Sequence, residues 1–277
     1  MPSLAYRIAL GLLVLFVATA LLGPFVVTHD PLQGSLRDRL VPPVWAEGGS
    51  WNNILGTDRL GRDVLARIVS GAGISLAVCA IVIALAGSVG TAVGTISGYV
   101  GGWTDRILMR LVDLALSLPV ILLALLLGAV RGPSFANIII VISLVLWSQY
   151  ARMARGETLR IKNEDFVDLA RTSGVGHLTI IFRHILPNIA PSLIVIATLQ
   201  VGIVIILEAS LSFLGVGVPP PNPSWGAMVA EGRSYIVTAW WVSMLPGVAI
   251  LLVVMSVNIV GDHLTDSINP ALRRRTV

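Results

Sequence analysis

An all-α, polytopic membrane protein with six membrane-spanning helices is the fold class this sequence predicts, on three observations. Its 277 residues are 55% hydrophobic and only 12% charged, with a mean hydropathy of +0.86, which a water-soluble domain could meet only by exposing large apolar patches. The apolar residues gather into long runs, and a helix needs about 20 of them to cross the hydrocarbon core. The runs are continuous rather than alternating, which excludes barrel strands, and in lipid a helix satisfies its own backbone groups.

The spans follow in order. Ile8 to Val27 comes after Arg7, and Ala18-Thr19-Ala20 has the look of a signal cleavage site. The run continues through Leu21, Leu22 and Phe25, past the roughly 7–15 residues of a signal core, and reads as a span. Ile74 to Gly98 carries Gly87, Gly90 and Gly94, a spacing that permits close helix contact, although glycine is common in membrane helices in any case. Leu108 to Val130 is the third run, and Asn137 to Tyr150 the fourth, short unless it starts near Pro133. Ile189 to Leu207 and Val242 to Val260 complete the set.

The first outer loop holds the turn formers Pro42-Pro43 and Gly48-Gly49, then Asp63 to Val69, which reads as a short amphipathic helix on the membrane surface. The last outer loop has Pro219-Pro220-Pro221 and Pro223, stiff extended chain, and then Trp225, Trp240 and Trp241, placed as interface anchors. On this reading residues 1–73 form one module of helix, external loop and amphipathic segment, and 74–277 a five-helix core that includes a polar loop, 152–188.

Much chemistry is absent. The one cysteine, Cys79, lies in a span, so there is no disulfide framework or thiolate cluster. The net charge of +4 is dispersed and gives no reason to expect nucleic acid. Lys162 is the only lysine, flanked by Ile161 and Asn163, so no phosphate-binding loop ending in Gly-Lys-Ser/Thr is present. His29, His177, His184 and His263 show no ligand spacing, and Ser88, Ser143 and Ser256 have no histidine within the membrane to activate them. Asp113 lies one turn from Arg110, and Glu208, with Ser212 one turn on, is the candidate for a translocation path or external gate, because charge within a span defaults to function.

The loop from Arg152 to Asn188 is the most informative segment. It carries Arg152, Arg155, Arg160, Lys162, Arg171 and Arg183, and the tail ends in Arg273, Arg274 and Arg275, which places both inside together with the amino terminus. Arg37, Arg39, Arg59, Arg62 and Arg67 in the first outer loop oppose that bias. Within the inner loop Asn163 reads as a helix cap, with Glu164 and Asp165 in the first turn. Phe166, Leu169 and Ala170 form one apolar stripe, Gly174 and Gly176 a left-handed exit, and Pro187 the start of the next helix. The stripe suits either a groove on a partner or the protein's own helix ends.

This loop resembles the coupling loop of ATP-binding-cassette importer permeases, whose pattern is Glu-Ala-Ala, three residues, Gly, nine residues, Ile-x-Leu-Pro. Asp168-Leu169-Ala170, Gly174 and His184-Ile185-Leu186-Pro187 match with spacing preserved; the departures are Asp for Glu, Leu for Ala and His for Ile. The His-Ile-Leu-Pro-Asn ending is typical of the dipeptide, oligopeptide and nickel branch. Further matches are Leu55-Gly56-Thr57-Asp58, Gly61 to Leu65, Gly98 to Asp105, Tyr150-Ala151-Arg152, Glu208 to Gly215, Ser224-Trp225-Gly226 and Asn258 to Asp262. Gly73 stands where relatives often carry Arg.

The resemblance implies a type I importer permease, the second of a pair, in a bacterial inner membrane with both termini cytoplasmic. It further implies a homologous second permease, two cytoplasmic ATPase subunits that hold ATP and Mg, an external solute-binding protein, surrounding lipid, and no cofactor or catalysis on this chain. Phe166, Asp168, Leu169, Ala170, Gly174, His184, Leu186 and Pro187 would form the ATPase-coupling surface, and Asp58, Arg62, Asp63 and Trp225 would help receive the binding protein. The implied cargo is a di- or oligopeptide; nickel, glutathione or another small solute is the alternative within the family. A secondary transporter working without ATPases and an intramembrane enzyme are the readings from other classes.

Overall fold

A computed structural model describes residues 4–268; the tail arginines Arg273, Arg274 and Arg275 lie outside them. The described residues are mostly helical, with two isolated β-bridges in the loop between the first two long helices, Gly34 to Arg62 and Thr57 to Asp63. The principal helices are α1 (Leu4–Val26), α2 (Val64–Val100), α3 (Gly102–Ser117), α4 (Val120–Arg131), α5 (Phe135–Ile161), α6 (Asp165–Thr172), α7 (His177–Thr179), α8 (Leu186–Phe213), α9 (Trp225–Gly232) and α10 (Trp241–Ile268). Among the described residues, five helices are long and apolar enough to cross a membrane, or six if the bent pair α3 and α4 counts as one. The expected six crossings correspond to counting that pair as one span.

Four boundaries differ from the sequence-based expectation. Helix α2 begins at Val64, so Asp63 to Val69 is not a separate surface helix but its first turn, with Val64, Ala66, Arg67 and Val69 buried. The Asp63 carboxylate accepts from the Ala66 N–H at 2.8 Å and caps this end, and no proline interrupts the chain before Val100. The third span is not continuous. It bends by 78° between α3 and α4, because Pro119 pushes Leu118 into an extended conformation, φ −84°, ψ 122°. Helix α5 runs past Tyr150 to Ile161, so Arg152, Arg155 and Arg160 project from a helix rather than a loop. Finally, α7 passes through one π-helical stretch, Ile180–Ile185, straight into α8, which extends the fifth span at both ends.

Contacts divide the chain into two compact units. The first holds the chain up to Ala80, Ala124–Ile139 and Val201–Val260; the second holds Ile81–Leu123, Ile140–Gln200 and the chain from Gly261 on. A boundary at residues 73 and 74 falls inside α2. In the first unit Trp225 is the hub. Its ring meets Phe16 at 5.6 Å between centroids, its indole N–H donates to the Ile68 carbonyl at 2.8 Å, and Gly71 passes so close that a Cβ there would lie 2.7 Å from the ring.

In the second unit the decisive contact is a glycine seam between α2 and α5. A Cβ on Gly90 would sit 2.2 Å from the Trp147 carbonyl oxygen, and one on Gly94 2.2 Å from that of Ala151. Gly98, one turn on, would meet the Arg155 carbonyl at 2.9 Å, while Gly87 has more room, 3.6 Å from Tyr150. The spacing read in the sequence is therefore a packing device at Gly90 and Gly94, since small residues let backbones approach where lipid offers no hydrophobic drive. Gly94→Val is expected to cost about 1–3 kcal/mol or more through overpacking. Gly156→Ala, on the same α5 but with nothing within 4 Å, should gain about 0.5–1 kcal/mol. Thermal unfolding in detergent separates the two, and equal shifts would contradict the seam.

Candidate functional site

The polar loop is built on a small apolar core. Ala154, Ile161, Val167, Ile180, Ile185 and Ile189 are all buried together, with Tyr99, Ala170, Val175 and Leu186 packed around them. Helix α6 is amphipathic in an unexpected way. Val167, fully buried, and Ala170 face this core, while Phe166 and Leu169 stand 42% and 67% exposed. The single stripe expected from Phe166, Leu169 and Ala170 is thus two faces, one anchoring and one presented. Val167 escaped the sequence reading, although its i, i+3 relation to Ala170 was available as a signal.

The exit from α6 is a Schellman closure. Gly174 takes φ +78°, and the N–H groups of Gly174 and Val175 donate to Arg171 and Ala170 carbonyls, each at 3.1 Å. Gly176 is not left-handed. It has φ −65° and ψ 150° and precedes α7. Asn163 does not cap α6 either; Glu164 occupies that position and Asn163 donates to the Leu159 carbonyl at 3.1 Å. Asp168 pairs with Arg171 at 3.0 Å on the exposed side, and the Phe166 and His184 rings lie 6.4 Å apart. Leu186 is half-buried in the core and Pro187 exposed at the start of α8. Lys162 donates to the Gly98 carbonyl at 2.6 Å, a cation at the last turn of α2, and Tyr99 Oη meets His177 Nδ1 at 2.8 Å.

The loop between α1 and α2 is closed by charge. Asp58 accepts from the Leu60 and Arg62 backbone N–H groups at 2.8 and 3.0 Å, and its carboxylate also holds Arg62 Nε at 2.7 Å and Arg67 Nη1. Glu231 on α9 takes both guanidiniums at 3.0 Å. Asp63, besides capping α2, accepts from Asn53 at 3.0 Å. The Trp241 indole N–H donates to the Thr57 carbonyl at 3.1 Å, where Gly56, φ +80°, leaves room for the ring. Asp58, Arg62, Asp63 and Trp225 are therefore interior braces rather than a receptor-facing surface, since all four are buried. Trp225 and Trp241 are likewise buried instead of anchoring at an interface; Trp240 alone of the three is exposed. Glu231 has no sequence signal, lying 164 residues beyond Arg67.

Glu208 is almost fully buried, and its carboxylate accepts from Ser212 Oγ at 2.8 Å and from Ser75 Oγ at 3.3 Å, joining α2 to α8. Asp113 pairs with Arg152 at 2.8 Å rather than with Arg110.

A family model for the binding-protein-dependent transport system inner membrane component matches residues 90–274. The chain belongs to this family, the permease subunits of ATP-binding-cassette importers. It is 42% identical over 95% of its length, and 87% of the relative, to the dipeptide transport system permease protein DppC of Escherichia coli. It is 40% identical to the di/tripeptide transport system permease protein DppC of Pseudomonas aeruginosa, over 94% of this chain and 86% of that one. In fold it resembles the inward-facing MetNI methionine ABC transporter, with TM-score 0.61 at 18% identity, over 73% of this chain and 96% of that one. It is a multi-pass inner-membrane protein.

The buried cluster has a pH consequence. Burial pushes the Asp58 carboxyl up, but the Arg62 N–H, the Arg67 and Arg62 charges and the Leu60 N–H outweigh it, leaving it below the ordinary carboxylate range. A carboxylate lowered on folding contributes stability that is complete above its unfolded value, about 3.9, and is lost as pH falls through the folded one. Proteolysis between residues 28 and 63 should accelerate over that acid window. Asp58→Asn should abolish the step and cost about 3–5 kcal/mol, because it strands buried guanidinium charge; an unchanged acid profile in the variant would contradict this.

Proposed function

We propose that this chain is one of two homologous permease subunits enclosing an import path for peptides, di- and tripeptides first among them. In this reading α6 is the surface on which a cytoplasmic ATPase subunit acts. The observation that carries it is the presented pair Phe166 and Leu169, on a helix whose opposite face is locked into its own core through Val167 and Ala170. A short ridge of this kind fits a groove on a partner. Because the same core includes Ile180, Ile185 and Ile189, a displacement imposed on α6 is passed to α8 rather than absorbed locally.

The mechanism follows from differential contact. Nucleotide binding and hydrolysis in the ATPase pair shift the position of α6, and the helical bundle alternates between outward and inward openings as those contacts favour one state or the other. ATP and Mg belong to the partners, and this chain performs no chemistry. The arginines of the loop and tail favour a cytoplasmic placement of both, and with six crossings both termini are cytoplasmic. Glu208 and Ser212, tied to Ser75, then form a gate element toward the external end. An external solute-binding protein docks on the outer loop, where Trp45 and Trp51 are exposed and the buried charges beneath keep the surface in shape. The peptide assignment rests on the relatives at 40% and 42% identity, both named for peptide transport.

Gly174→Val tests the coupling. The position is open, with nothing within 4 Å of a Cβ, so the substitution acts through its left-handed backbone alone, at roughly 1–2 kcal/mol or more for a β-branched residue. Peptide uptake should fall to background while membrane insertion is retained. Leu169→Asp should lower ATPase-subunit co-purification at least about tenfold, the equivalent of 1.4 kcal/mol. Normal uptake and co-purification in both variants would refute the reading.

A further inference from the structure

A groove between α3 and α5 has no part in the coupling surface or the outer loop. It measures about 570 Å³ and is lined by Asp105, Arg106, Met109, Arg110, Asp113, Arg152 and Arg155. Four guanidiniums face two carboxylates, an excess of two positive charges. Asp105 holds Arg155 through two bonds of 2.5 and 2.6 Å, and Asp113 holds Arg152 at 2.8 Å. The other two cations are left over. Arg106 lies 5.3 Å above the Trp103 ring, and Arg110 has no ionic or hydrogen-bond partner among the described residues.

Two further observations say what such a groove meets. Helix α5 carries no charged side chain from Phe135 to Ala151, and Arg152 is the first, so the groove opens where α5 leaves the hydrocarbon, at headgroup depth. Beside it, α3 has an uncovered apolar stripe. Trp103, Ile107, Leu111, Leu114 and Leu118 recur at helical spacing and are 74%, 56%, 50%, 62% and 44% exposed. Arginines on one side and a tryptophan-led apolar stripe on the other are the features of a helix end that meets the membrane interface.

We propose that this groove binds the phosphate of an anionic phospholipid, in the leaflet on the α6 side of the membrane, with the acyl chains along the Trp103 to Leu118 stripe. Guanidinium is suited to the role, since its planar fork takes phosphate oxygens two at a time and it is weakly hydrated. Arg106 and Arg110 make the contact; Arg152 and Arg155, already paired, shape the wall. The stripe selects lipid over free phosphate, because an inorganic ion would leave the apolar face uncovered.

The test uses the full chain with the subunits that co-purify with it, in nanodiscs of phosphatidylcholine containing a minor fraction of phosphatidylglycerol. Lipid retained after release into mild detergent is counted by native mass spectrometry. Wild type should keep phosphatidylglycerol in preference to phosphatidylcholine, and Arg106→Gln/Arg110→Gln should weaken that retention by about fivefold per arginine removed. Arg106→Lys/Arg110→Lys, which keeps the charge and guards against a folding defect, should retain most of it. Equal retention of the two lipids would overturn the proposal, as would displacement of phosphatidylglycerol by inorganic phosphate. Loss of a co-purifying subunit from the glutamine variant with lipid unchanged would also overturn it, and would assign the groove to a protein contact.

Discussion

Backbone-to-backbone approach of α2 and α5 is the constraint on which the second unit depends. Lipid gives helices no hydrophobic reason to associate, so association must come from close packing. Gly90 and Gly94 supply it by removing the one atom that would keep the helices apart. Once the two helices touch, Gly98, Arg155 and Thr158 fall into register at their ends. Asp105 closes on Arg155 and Ser97, and Lys162 reaches the carbonyl of Gly98. The apolar core beneath α6 rests on that arrangement, because Ala154 and Ile161 belong to the same face of α5.

The two charged regions solve opposite problems. At the loop between α1 and α2, Asp58, Arg62 and Arg67 are withdrawn from water, which is costly unless every charge is met. Asp58 meets it with two backbone N–H groups and two arginines, and Glu231 closes the other side. A loop rich in proline and glycine has little else to define it, so directional ion pairs do what a hydrophobic core does elsewhere. At the α3 groove the pairing is deliberately incomplete by comparison, and the surplus cations remain available to a ligand.

In the proposed coupling, the small helix α6 would serve as a lever. Eight residues are too few for an isolated helix to persist in water. Val167 and Ala170 fix it from below, and the glycine closure at Gly174 fixes its exit. With those degrees of freedom removed, Phe166 and Leu169 are presented on a fixed ridge. The π-helical stretch Ile180–Ile185 then leads without a gap into α8, so the loop and the span form one continuous helical piece.

Residue order alone established the class of protein. Run lengths gave the crossings and glycine spacing pointed to the seam, because period and local backbone chemistry are written in neighbours along the chain, and Asp168, Gly174, Leu186 and Pro187 marked the loop through their resemblance to a family pattern. What adjacency cannot encode was decided by the tertiary structure. Arg62 and Arg67 find Glu231 far along the chain, Val167 turns inward while Leu169 turns out, and residues that read as a receptor surface become braces. Charge and hydrophobicity state what a side chain needs, but which partner satisfies it depends on which helices meet, and that is settled only when the chain is packed.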